Sequence, residues 1–226
     1  VWSCIVALTK FNFNSFDLTT AASKGLAFNS SANGFETATE GSVVLIKTLT
    51  ASTSSTLSFV HGSSDVVLDS TYPVYLFKFI NIHPGTDDAN FQFDTSDDTG
   101  SSYDTTKTTT SFRAKNAEDD STEGLAYRAN ADLAQGATYQ TIAENLDTDN
   151  DSNGCGEMYL FNPSSTTFVK HFLCRFTNYN NSEAGNQDQF TGGYINVTAA
   201  IDAVLFRFHT GNIDSGTIKL YGIKDS

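Results

Sequence analysis

Val74–Phe93 reads VYLFKFINIHPGTDDANFQF, and this stretch decides the fold class. Tyr75, Phe77 and Phe79 point one way along an extended chain, and Val74, Leu76, Ile80 and Ile82 point the other, with Lys78 among them. Successive side chains of a strand alternate between faces, so a run apolar on both faces describes a central strand of a packed sheet. His83-Pro84-Gly85 stops it, because proline donates nothing to a ladder and glycine accepts turn dihedrals. After two aspartates, Phe91 and Phe93 resume on one face. The stretch predicts strand, acidic turn, strand.

The rest of the chain extends this pattern. Apolar runs recur at VVLIKTL (43–49), TLSFVH (56–61), TTSFRA (109–114), LAYRA (125–129), EMYLF (157–161) and TFVKHFLCRF (167–176), then at 193–198, 203–209 and 217–223. Asp65–Leu68 predicts a short edge piece. Ser, Thr, Asn, Asp and Gly crowd between the runs, as short strands joined by polar turns require. In 167–176, Phe168, Phe172, Cys174 and Phe176 share a face opposite Val169, His171 and Leu173. Ala131–Leu146 is the one place where a short helix fits, although Gly136 weakens it, and NYNNSEAGNQDQ (178–189) reads as a polar loop. About ten strands without repeat or linker predict an all-β head at 43–226, a two-sheet antiparallel β-sandwich of jelly-roll-like form.

Residues 1–42 differ in texture. Phe11, Phe13 and Phe16 are set among polar residues, followed by a small, Gly-interrupted segment. This describes an extended N-terminal arm with a few apolar anchors, or equally a first strand and long loop of the same domain. An arm of this kind buries its aromatics against the body of its own domain, a sister subunit or a larger particle, with Phe11, Phe13 and Phe16 as the candidate attachment or interface residues.

Eighteen Phe and nine Tyr in 226 residues supply the bulk of a sizeable core. The formal charge of −13, from 26 acids against 13 Lys and Arg, repels a polyanion, so nucleic-acid binding is not expected. No run approaches the roughly 20 apolar residues of a membrane span. VWSCIVALT at the start is too short for one and lacks a signal peptide's basic start.

Asp147, Asp149 and Asp151 sit at alternate positions before Gly154, a spacing that can converge carboxylates on Ca²⁺. The glycine comes late for an EF-hand, and a solvated acidic turn is the simpler reading. Cys4, Cys155 and Cys174 form no disulfide framework or zinc pair; Cys174 reads as a buried thiol, with a Cys155–Cys174 bridge as the alternative. The four histidines have no catalytic spacing, and no nucleophile elbow, P-loop or dinucleotide fingerprint appears. No catalytic residue is assigned. Tyr103, Tyr127, Tyr139, Tyr179 and Tyr194 lie in or near polar segments, where rings either stack on sugars or close strand ends.

Four stretches carry a resemblance: VLIKTLTASTSSTLSFVHGSSDVVLDSTYPVYLFKFINIHPGTDDANFQF (44–93), LAYRANADLAQ (125–135), LFNPSSTTFVKHF (160–172) and TGNIDSGTIKLYGI (210–223). In that order they resemble virion structural proteins of tailed bacteriophages of marine cyanobacteria and other marine bacteria. ALTKFNFNSFDLTTAASKGLAFNS resembles the usual start of these proteins, with Val6 where the first methionine would stand, which makes residues 1–5 a non-native or extended leader. The resemblance implies a non-enzymatic β-sandwich on the virion surface, as fibre, knob or capsid decoration. It also implies a homotrimer, and capsid or tail proteins as partners. The alternative is a carbohydrate-binding module that recognises host surface glycans.

Overall fold

The computed structural model describes residues 26–28, 31, 35–37 and 41–225. The chain divides into two units, Val1–Gly41 and Ser42–Ser226. In the first, β1 (Leu26–Phe28) pairs antiparallel with β2 (Phe35–Thr37). Phe11, Phe13 and Phe16 lie outside the described residues.

The second unit contains β3 (Val43–Thr50), β4 (Leu57–Val60), β5 (Val74–Pro84), β6 (Ala89–Ser96), β7 (Lys107–Ala117) and β8 (Glu123–Tyr127). β9 (Gln140–Leu146), β10 (Gly154–Phe161), β11 (Lys170–Asn180), β12 (Gly185–Ile195), β13 (Ala203–Phe208) and β14 (Ile213–Ile223) complete it. All pairings are antiparallel. Eight strands run in the order β3-β14-β5-β10-β11-β12-β7-β8, and four in the order β9-β6-β13-β4. The two rows meet through one pair, Asn180 with Leu146. The fold is all-β and jelly-roll-like, as the apolar runs predict.

The layers close over an aromatic core. Phe77 and Phe79 of β5 lie 5.3 Å and 5.1 Å from the Phe206 ring of β13, and Phe93 of β6 lies 4.9 Å from Phe172 of β11. These edge-on contacts add to the burial of the rings, which is worth about 1.5–3 kcal/mol each.

The opening stretch needs one correction. β5 is central, flanked by β14 and β10, but Ile82 does not share a face with Leu76 and Ile80. It is fully buried with Tyr75, Phe77 and Phe79. Asn81 adopts a left-handed φ of 52°, inserting one extra residue, and the registers with β10 and β14 both break there. A one-residue bulge turns every later side chain to the other face. Gly216 permits it: at φ 122° it lies against the bulge, where a Cβ would stand 2.6 Å from the Asn81 carbonyl.

Four other expectations change. No strand forms at Asp65–Leu68, where a turn tied by Gly62 N–H to the Val66 carbonyl buries Val66 and Leu68. No helix forms in 131–146; its second half is β9, whose Ile142 and Leu146 are both buried, as residues four apart on a strand share a face. Phe168 precedes β11 and is exposed, so the shared face begins with Phe172. The polar segment 178–189 is mostly strand: the end of β11, a 3-10 turn at Asn181–Glu183, and the start of β12.

That last segment is strand, and most of its inward polar side chains find partners. Gln187 accepts from Arg113 and Asn180, Gln189 donates to the Ser111 hydroxyl (3.0 Å), and Thr109 donates to Gln140 (2.7 Å). Beside them the buried Glu144 accepts from Arg128 (2.8 and 3.0 Å) and from Asn130. Buried polar groups are tolerated when partnered in this way. The interior therefore has an aromatic half and a polar half.

Candidate interaction face

Among the described residues, the outer face of the eight-stranded layer gathers most of the large exposed apolar side chains. Cross-strand register aligns Leu45, Tyr221, Leu76, Tyr159 and Leu173 in one row. The next row runs Lys78, Glu157, Arg175, Phe190, Phe112 and Tyr127. Leu173 is 57 % exposed and Phe112 42 %, and Val43, Leu45, Ile80, Leu125 and Tyr127 are exposed too. From β14 to β8, seven strands at about 4.8 Å spacing make this face roughly 30 Å wide. Isolated surface apolars are ordinary, whereas contiguous rows mark contact sites.

Two ion pairs lie on this face. Lys78 pairs with Glu157, which raises the lysine's pKa. Arg175 forks onto Asp188 at 2.7 Å. With Lys219 opposite Lys78, the two rows hold three cations and Glu157, and Asp188 adds a second anion from the adjoining row, on a chain of net charge −13.

A hollow of about 340 Å³ lies in the centre, bordered by Phe112, Glu157, Tyr159, Leu173, Arg175 and Phe190. Phe112 and Phe190 are parallel to within 6° at 5.0 Å, and the Arg175 guanidinium lies 5.0 Å from the Phe190 ring centre. That spacing equals the distance between neighbouring strands, so the rings stand upright and turn their faces to each other. Edges are what they offer a ligand. A sugar-stacking platform needs open ring faces.

The residues singled out in the sequence fall elsewhere. Asp147 accepts from the Ser152 hydroxyl (2.9 Å) and the Asp149 amide, closing its own turn. Among the described residues, no three His, Cys, Asp or Glu side chains gather as a metal site would require. Tyr127, Tyr179 and Tyr194 are on strands, and only Tyr103 and Tyr139 are in loops. Cys155 and Cys174 are both free thiols; Cys174 faces the core and burial pushes its pKa well up. His61 Nδ1 accepts from the Leu68 amide, bracing a loop, and His209 Nδ1 accepts from the Asn90 amide at the start of β6, so both rings have structural partners. Asp87 and Asp88 of the acidic turn accept from Thr148 and Ser182.

The exposed face escaped the sequence reading for a local reason. Phe112 lies between Ser111 and Arg113, both buried. Alternation alone places the aromatic inside and its polar neighbours outside, the reverse of what the polar half of the interior imposes.

No protein-family model matches the chain, and no curated protein or solved structure matches it either.

Proposed function

We propose that this chain is a non-enzymatic structural protein of a phage particle, displayed on the virion as fibre, knob or capsid decoration. Its head associates with sister copies through the outer sheet face. The observation that carries this is the set of exposed aliphatic and aromatic side chains spread over two adjoining rows of the outer face, with Lys78 and Arg175 held in ion pairs beside them. The resemblance in residues 44–223 supplies the particle.

A homotrimer fits the face better than a two-fold dimer. A ring of three joins two different patches on each subunit, whereas a dimer matches a patch to itself. The face has two unlike ends: aliphatic near Val43, Leu45 and Leu76, aromatic near Phe190, Phe112 and Tyr127. The host-glycan reading has less support, because the Phe190 ring is stacked on Phe112 and contacted by Arg175, which leaves no open pair of ring faces.

Antibody labelling and peptide mass spectrometry of purified particles test the placement. The expected result is the chain on the particle exterior in multiples of three copies; its absence from washed particles would overturn the proposal. Binding on a glycan array that is lost with a calcium chelator would favour the alternative.

A further inference from the structure

Lys107 and Asp94 form a pair that the assembly reading does not use. Asp94 is on β6 of the four-stranded layer, and Lys107 opens β7 of the eight-stranded layer. Both side chains are 0 % exposed. Lys107 Nζ contacts Asp94 Oδ1 and also donates to the Thr105 carbonyl (2.6 Å). Oδ1 accepts the Thr95 amide at 2.7 Å and lies 3.5 Å from the Thr105 hydroxyl. The other oxygen, Oδ2, is buried without any partner.

A salt bridge this deep is costly unless every lone pair is satisfied, and here one oxygen is orphaned. We propose that Lys107 and Asp94 condense into an intramolecular isopeptide bond that staples the two layers together. Nζ already touches an oxygen bonded to the carboxyl carbon, and the Lys107 backbone is clamped on both sides by Gly136, at 2.8 and 3.0 Å. Reacting groups held in contact need little further ordering. Burial pushes the Asp94 carboxyl pKa up and the Lys107 amine pKa down, towards the neutral acid and neutral amine that react.

The step balances without a co-reactant. The amine lone pair attacks Cγ of the protonated carboxyl, forming the C–N bond. Negative charge develops on Oδ1, where the Thr95 amide stabilises it. A proton passes from nitrogen to Oδ2, the Cγ–Oδ2 bond breaks, and water leaves. The amide keeps Oδ1 with its donors and loses the oxygen that had none. Both buried charges disappear with it.

Intact mass spectrometry of the denatured full-length protein tests this directly. The expected mass lies one water below that of the sequence. Proteolysis should yield a branched peptide joining Asp94 to Lys107, and Lys107→Ala and Asp94→Ala should restore the full mass. A wild-type mass equal to that of the sequence would overturn the proposal. So would water loss that maps to another aspartate or persists in Asp94→Ala. The wild-type readings stand even if either variant folds poorly.

Discussion

On β11, Phe172, Cys174 and Phe176 are buried against the four-stranded layer, while Leu173, one residue from two of them, stands 57 % exposed on the opposite side. The same contrast runs across the whole eight-stranded layer: Phe77 and Phe79 lie inside and Ile80 outside, with Ser111 and Arg113 inside and Phe112 outside. Inner and outer faces draw on similar residue types, but among the described residues only the inner one is covered by a second layer. Polarity therefore does not mark the inside of this sheet. Partners do: hydrogen bonds hold most of the polar interior in place, and the apolar exterior is the face proposed for assembly.

The comparison can be broken first from the inside. Phe206 touches the rings of Phe59, Phe77, Phe79, Phe91 and Phe93, so Phe206→Ala should remove about 3–5 kcal/mol in urea unfolding. A loss below about 1 kcal/mol would mean that the aromatic half does not hold the layers together.

The polar half should yield less. Glu144 is almost fully buried, but its partner Arg128 keeps 23 % exposure and can rehydrate. Glu144→Ala should therefore cost about 2 kcal/mol, below the roughly 3–5 expected when a wholly buried pair is broken. An effect equal to that of Phe206→Ala would erase the distinction between the halves.

Acid and alkali should separate the halves as well. Burial raises the Tyr75 pKa from 10.0 to about 12. Stability from that neutral phenol is complete below pH 10 and is lost as pH rises towards 12. Tyr75→Phe should flatten the fall in urea midpoint between these values. On the acid side, burial opposes but Lys115 and Arg113 outweigh it, holding the Glu183 carboxyl below its usual value. That contribution is present above the ordinary glutamate range and lost as pH falls through the lowered pKa, so Glu183→Gln should blunt acid destabilisation. An unchanged profile in either variant would detach that group from its half.

Much of the inner face was legible in the sequence, because aromatic alternation at 74–79, 91–93 and 172–176 survives folding. The bulge at Asn81 was not. Its enabling glycine, Gly216, is on β14 and meets β5 only in the folded sheet. β9 and the start of β12 were hidden for another reason: Gln140, Glu144, Gln187 and Gln189 point inward and depend on distant donors and acceptors. Spacing within a strand carries no trace of such partners. The candidate face inherits this blindness, since Phe112 and Phe190 look like core until Ser111, Arg113, Gln189 and Thr191 are seen to occupy that side.

The smallest expected effect on stability accompanies the largest on assembly. Leu173→Glu places a charge in the centre of the outer face, and an exposed position should shift the unfolding free energy by no more than about 0.5 kcal/mol. Sedimentation velocity on wild type and Leu173→Glu tests the central claim most directly. The account predicts a trimer for the wild type and an equally stable monomer for the variant. A monomeric wild type, or a variant that sediments with it as a trimer, would contradict the assignment of this face.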